Sequence, residues 1–383
     1  SEDLFMRFSV KGFDSKSYRK EEKYKGYYLS GAINYKISDA QSIAITPSFY
    51  SQKLKNQSGP LTLKQVKADR RQSGKTQDPQ KYNKADLSID YSIDFSDSFQ
   101  TRIMPYYLKT RFLQEGEIVG RGGRKQAYQT KFTDRKYGLN LKNRFKYGSG
   151  ELVFGYDYED IFDKLSQGDE LGKTIHSSYL VEKHDFTDWF SLGGGFRYER
   201  AYYDVKRPAS RALRRPAFNE SKHTNSRAFD VVPNFKYSET GNVYFKFEKG
   251  FVSPSPQELV DVVKVGNHTE FKFNNLRPET FKTYELGIKD TIFGQFFSAT
   301  VFKTDTKDMI FLKWKDPSHG LGQRIFEREY INLDEAERYG AELYAEQSLI
   351  EDSLKLSESF SYVHSRATFE RNGKKETKAL PYV

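Results

Sequence analysis

The sequence predicts an all-β protein, an antiparallel up-and-down transmembrane β-barrel to which these 383 residues contribute about 15 strands. Three observations predict it. Apolar and aromatic residues recur at every second position, short polar turns alternate with long basic connections, and aromatic rings gather at the ends of the alternating stretches. Period two sends successive side chains to opposite faces of a strand, so each stretch has one apolar face.

One hairpin shows the pattern plainly. Leu87, Ile89, Tyr91, Ile93 and Phe95 line one side of an extended segment, Ser96-Asp97-Ser98 turns it, and Phe99, Thr101, Ile103, Pro105 and Tyr107 line the return. In chain order the short reversals fall at 38–41, 96–98, 147–150, 184–188, 238–242, 290–294 and 348–352. Between them run long, mostly polar connections at 51–84, 113–135, 160–173, 205–226, 252–280 and 315–327. Consecutive connections of a meander leave at opposite ends of the sheet. All short turns therefore share one rim and all long loops the other.

Aromatic residues make up 16% of the chain and sit in pairs at strand ends: Phe49 with Tyr50, Phe95 with Phe99, Trp189 with Phe190, Tyr202 with Tyr203, Phe296 with Phe297. Such placement fits the girdles at a membrane interface. Mean hydropathy is −0.79, and no apolar run approaches the roughly 18 residues a membrane helix needs. A barrel tolerates that average, because only alternate residues meet lipid.

Several classes drop out. Cysteine is absent, which removes disulfide scaffolds, iron-sulfur sites and thiol nucleophiles. Neither HExxH nor GxSxG occurs, and the six histidines are scattered with no i, i+4 pair, so no enzyme and no resident cofactor is expected. Gly120-Arg121-Gly122-Gly123-Arg124 is a single RGG-like segment, insufficient for a nucleic-acid partner. The chain starts without an initiator methionine or signal pattern and stops at Leu380-Pro381-Tyr382-Val383. The expectation is one part of a single barrel domain, 1–383, closed by strands outside it.

The net charge of +10 concentrates in the long connections. Residues 205–227 hold Lys206, Arg207, Arg211, Arg214, Arg215, Lys222 and Arg227 against the single acid Glu220. Residues 51–84 hold nine Lys or Arg against Asp69 and Asp78. A rim of one sign concentrates ligands of the other. With Tyr202 and Tyr203 at the root of the first of these loops, Arg207, Arg211, Arg214, Arg215 and Lys222 form the expected capture set for a planar or catecholate-like anion, joined by Arg121, Arg124 and Lys125. Lipopolysaccharide phosphates attract the same charge.

From Thr240 onward, ordered blocks carry a resemblance: Gly250-Phe251-Val252-Ser253-Pro254-Ser255-Pro256-Gln257-Glu258-Leu259, then Asn274-Asn275-Leu276-Arg277-Pro278-Glu279, then Tyr284-Glu285-Leu286-Gly287. Asp308-Met309-Ile310, Tyr330-Ile331-Asn332 and Arg338-Tyr339-Gly340-Ala341-Glu342 follow. This succession resembles the barrel of TonB-dependent outer-membrane receptors, which take up iron chelates, haem, cobalamin or sugars. The resemblance implies a barrel of about 22 strands around a plug, an outer-membrane location in a Gram-negative-type bacterium, contact with outer-membrane lipid and lipopolysaccharide, and import driven through TonB. The plug and TonB box have no counterpart in the sequence. A ferric siderophore is the expected ligand; haem is the alternative, with His268 between Pro256 and Asn274 where haem receptors carry an axial histidine. A non-transporting adhesin or pore barrel is the remaining alternative.

Overall fold

In a computed structural model, one antiparallel sheet holds all eighteen strands. The structure describes residues 3–20, 22–55, 61–72, 79–119, 125–165, 168–209, 216–265, 268–314, 328–350, 353–371 and 374–379. The strands are β1 (Leu4–Lys16), β2 (Lys23–Ser38), β3 (Gln41–Lys55), β4 (Gln80–Ser96), β5 (Phe99–Val119), β6 (Lys125–Tyr147), β7 (Gly150–Leu165), β8 (Glu170–Thr187) and β9 (Phe190–Arg207). They continue as β10 (Phe218–Lys236), β11 (Asn242–Val252), β12 (Val260–Val265), β13 (His268–Phe273), β14 (Glu279–Ile292), β15 (Gln295–Trp314), β16 (Arg328–Ile350), β17 (Leu354–Arg371) and β18 (Lys374–Ala379). Each strand from β1 to β10 pairs with its successor. β11 then pairs directly with β14, and the meander resumes to β18.

The wall thus has sixteen strands, and β12–β13 is a hairpin outside it, tied to the wall by its own partner contacts and one bridge from Val262 to Arg328. The count exceeds the fifteen expected because this hairpin and β18 lie in stretches too polar to read as strands. Two of the long connections also shrink. β5 runs to Val119 and β6 starts at Lys125, while β7 runs to Leu165 and β8 starts at Glu170. Crossing the hydrocarbon takes about ten tilted residues; β6 and β16 have 23 each. The ladders therefore continue well past the membrane, where both faces meet water and alternation fades. In the 51–84 connection, α1 (Leu63–Ala68) is closed by a capping box between Thr62 and Gln65.

Side-chain direction follows period two. Outward residues of β9 include Phe196, 47% exposed, and Tyr202; inward ones are Arg197, Glu199, Ala201, Tyr203, Val205 and Arg207. Near the short-turn rim an outward belt of rings runs Tyr147, His184, Phe186, Phe190 and Phe235, with successive centroids 5.9, 4.6, 5.6 and 4.9 Å apart. Toward the other rim Tyr158, His176 and Tyr202 form a second belt. The inner face is polar and cross-linked: Tyr106 donates to Glu159 at 2.6 Å, Lys136 pairs with Glu159, and Arg197 pairs with Asp157. Gly340 is required where neighbouring strands approach closely, since a Cβ there would lie 2.2 Å from the Tyr362 carbonyl oxygen and 2.8 Å from the Phe302 ring.

Candidate functional site: the hairpin in the mouth

The hairpin β12–β13 folds onto the inner face of β8–β10 at the long-loop end. Its approach is set by apolar positions: Leu259 and Val260 are fully buried, Leu259 with Ala201, Tyr203 and Leu276, Val260 with Leu171 and Val205. Burying such side chains contributes about 1.5–3 kcal/mol each. The wall then holds the segment's backbone. Lys173 and Lys222 are the cross-strand neighbours of Tyr203 on either side. Lys173 Nζ donates to the Pro254 carbonyl at 3.1 Å and lies 5.3 Å from the Tyr203 ring centre, while Lys222 Nζ donates to the Leu276 carbonyl at 2.7 Å and Asn275 Oδ1 at 3.1 Å. Burial pulls both ammonium groups below the usual lysine range, opposed at Lys173 by Glu199 and Glu159. Ser253 Oγ donates to Glu199 at 2.6 Å.

A second set of contacts fixes the return to the wall. Asn274 Nδ2 donates to the Glu258 carbonyl at 2.6 Å and to Asp261 Oδ1 at 3.0 Å, and Asp261 also accepts the Tyr330 N–H at 2.8 Å. The Arg277 N–H donates to Asn332 Oδ1, and the Asn332 amide donates back to the carbonyls of Arg277 and Asp308 at 2.9 and 2.6 Å. Arg277 pairs with Asp308, which has φ 57°, and Glu279 Oε1 accepts the Ile310 N–H at 2.6 Å. Four of the blocks that carried the family resemblance, far apart in sequence, thus meet in one knot.

The predicted capture residues separate. Tyr203 is 1% exposed and lies under the hairpin; Arg207 is also buried, its guanidinium 4.0 Å from the Phe271 ring centre and 3.6 Å from Asp169. Tyr202 points out of the wall beside His176 and His223, with Arg200 over its ring at 5.0 Å. Lys222 holds the hairpin. Lys125 opens β6 opposite Val119. His268 opens β13 opposite Val265, at the hairpin's tip. Arg211, Arg214, Arg215, Arg121 and Arg124 lie outside the described residues. Sequence reasoning did not single out Lys173, Asp261 or Glu199; for Lys173 and Glu199 the only signal is a charge at an inward position of a strand that continues beyond the membrane.

Among the described residues, no group of three or more His, Asp or Glu is placed to hold a metal ion. On the inner wall, Asp134 and Asp163 are cross-strand partners, and burial with the neighbouring Asp134 charge pushes Asp163 up to about 6.

The family described as TonB dependent receptor-like, beta-barrel matches residues 18–383. The ferric-catecholate import receptor Fiu of E. coli K12 superposes with a TM-score of 0.71 at 13% identity, covering 98% of this chain and 62% of that one. The copper transporter OprC gives 0.75 at 13%, covering 96% and 60%. The probable hemoglobin and hemoglobin-haptoglobin-binding protein 4 of Haemophilus influenzae is 27% identical over 162 residues, 38% of this chain and 16% of that protein. The chain therefore spans less than two thirds of each of these relatives. By the match across nearly its whole length, it belongs to the TonB dependent receptor-like β-barrel family, whose members lie in the outer membrane of Gram-negative bacteria.

Proposed function

We propose that this wall belongs to a receptor that captures an anionic ferric siderophore at its extracellular mouth and admits it inward with energy supplied through TonB. The observation that supports this most is the charge of the connection between β9 and β10. It carries Arg211, Arg214 and Arg215 with no acid, and it leaves the wall at Arg207, beside the pinned hairpin. Capture is assigned to these arginines with Arg121, Arg124 and Lys125. Lys222, Tyr203 and Arg207 hold the hairpin that shapes the mouth, and Tyr202 seats the wall among outer-leaflet lipid and lipopolysaccharide.

The test is joint replacement of Arg211, Arg214 and Arg215 by Gln in the full-length receptor. Affinity for the ferric chelate is expected to fall and its salt dependence to flatten. Unchanged affinity at low salt removes the assignment.

One observation favours haem as a second reading: the partial similarity to a hemoglobin-binding protein, together with His268 at the tip of a hairpin held in the mouth. If His268 is an axial ligand, haem added to the receptor shifts the Soret band and His268→Ala abolishes the shift. A shift that persists in the variant eliminates that role.

A further inference from the structure

Beneath the segment that leads into the hairpin, the inner wall holds a patch of hydroxyls that neither the capture loops nor the polar knot use. Register places Ser177 of β8, Glu199 of β9 and Ser226 of β10 directly opposite one another on the inward face; the next inward row toward the mouth is Ile175, Ala201 and Thr224. Directly opposed side chains start about 5 Å apart. Ser253 roofs the patch, donating to Glu199 at 2.6 Å. The Tyr203 hydroxyl reaches in from the row above. Burial pushes it up to about 12, and the Thr224 hydroxyl, the Glu199 carboxylate and the Ser253 hydroxyl are the nearest groups that act on it.

Four oxygens here, Ser177 Oγ, Ser226 Oγ, Thr224 Oγ1 and Tyr203 Oη, are buried without a hydrogen-bond partner, and among the described residues no other buried hydroxyl is in that state. Their residues are 1, 7, 8 and 1% exposed, and Glu199 is 9% exposed. Buried hydroxyls are almost always bonded, so four together point to a bound species. Its charge follows from the groups around it. Arg197 pairs with Asp157 and Lys136 with Glu159, which leaves the Lys173 ammonium between the carboxylates of Glu199 and Glu258. Lys222, on the other side of Tyr203, spends its charge on the Leu276 carbonyl and Asn275 rather than on an acid. Two acids against one ammonium leave one negative charge, which burial makes costly. A water molecule bonds the hydroxyls and leaves that charge in place, a divalent ion overshoots it, and a monovalent cation cancels it. An all-oxygen lining suits a hard cation, since each hydroxyl can turn its lone pairs to the ion and its hydrogen away.

We infer that Glu199, Ser177, Ser226, Thr224 and Tyr203 bind one alkali cation, sodium or potassium, which fastens Ser253 and the hairpin that follows it to the wall. The ion joins β8, β9 and β10 to the segment that roofs them. A simple salt ion, rather than a captured ligand, then sets how tightly the hairpin is held. The site does not depend on what the mouth captures.

Amide exchange of residues 253–262 in the full-length receptor, held in detergent with sodium, potassium or choline chloride, tests this. Equal ionic strength in the three salts removes screening as a cause. Exchange is expected to be slower in sodium or potassium than in choline, by about elevenfold when the ion stands at about ten times its dissociation constant. The salt that protects more identifies the ion. Strands β4 and β5, remote from the patch, are expected to exchange alike in all three. Glu199→Gln keeps an acceptor for Ser253 and removes the charge, while Thr224→Val keeps the shape and removes one oxygen. Both are expected to retain the wild-type thermal transition in choline and to lose the ion dependence, the first entirely and the second in large part. Equal protection of 253–262 in all three salts overturns the site. So does an ion dependence that persists unchanged in both variants, or one shared equally by β4 and β5. Affinity for the ferric chelate is read in none of these arms, so the site and the receptor reading fail separately.

Discussion

Lys173 and Lys222 show how a residue's role follows from which face of a strand it occupies. Both flank Tyr203 on the inner wall, and both spend their charge on carbonyls of the folded-in segment. Lys222→Met keeps the stem and removes the donor, so amide exchange across residues 268–279 is expected to speed up several-fold; protection equal to wild type rules out the clamp. Asp163 gives a pH prediction. It is the fourteenth residue of β7, beyond the membrane crossing, and its folded value is raised to about 6 from an ordinary carboxylate value of 3.8. A raised carboxyl contributes stability that is complete below the unfolded value and is lost as pH rises through the folded one. The upper β6–β7 ladder is therefore more protected at pH 4 than at pH 7.5. Discounted for partial exposure, the difference is on the order of 1 kcal/mol. Asp163→Asn is expected to reduce it to the part left by Asp134, whose carboxyl burial also raises, stabilising the ladder at pH 7.5 while leaving pH 4 unchanged.

Elements differ in how much of them the sequence reveals. Leu87 to Phe95 and Phe99 to Tyr107 read as strands because lipid on one side and polar lumen on the other imposes period two, and β4 and β5 contain them. The outer parts of β5 to β8 meet water on both faces, so nothing in their composition separates a ladder from a loop. The hairpin was hidden for another reason: its alternation is apolar against the wall, but six-residue strands inside a polar connection give too few repeats. The candidate site was legible only as charge and motif. Tyr202 and Tyr203 are adjacent, so one had to face out and one in, yet the pairing that decides which lies across three strands. The hairpin's docking depends on Leu259. Leu259→Ala is expected to cost it about 2–5 kcal/mol, read as new proteolytic cleavage within residues 253–279; wild-type resistance indicates that the polar knot alone holds the segment.

At the scale of the molecule, the unusual feature is a sixteen-strand wall with two free edges. β1 pairs only with β2 and β18 only with β17 among the described residues. Phe5, Phe8 and Val10 of β1 are 57, 68 and 78% exposed, so side chains as well as backbone groups lack neighbours there. Unpaired edges recruit other strands, and in a bilayer each unsatisfied backbone group costs several kcal/mol. Two arrangements remove the cost: further strands of a full-length receptor, or a smaller barrel in which β1 meets β18, narrower in proportion to strand number. The absence of cysteine makes them separable, because Ser9→Cys, on the free edge of β1, introduces a single thiol. In the 383-residue chain refolded alone in detergent, an open wall is expected to pair edge to edge and yield disulfide-linked dimers on oxidation. The same substitution in the full-length receptor, where additional strands cover β1, is expected to stay monomeric. A chain that remains monomeric alone, with slow amide exchange along β1, has instead closed on itself as a sixteen-strand barrel, and the wall then does not require strands from outside it.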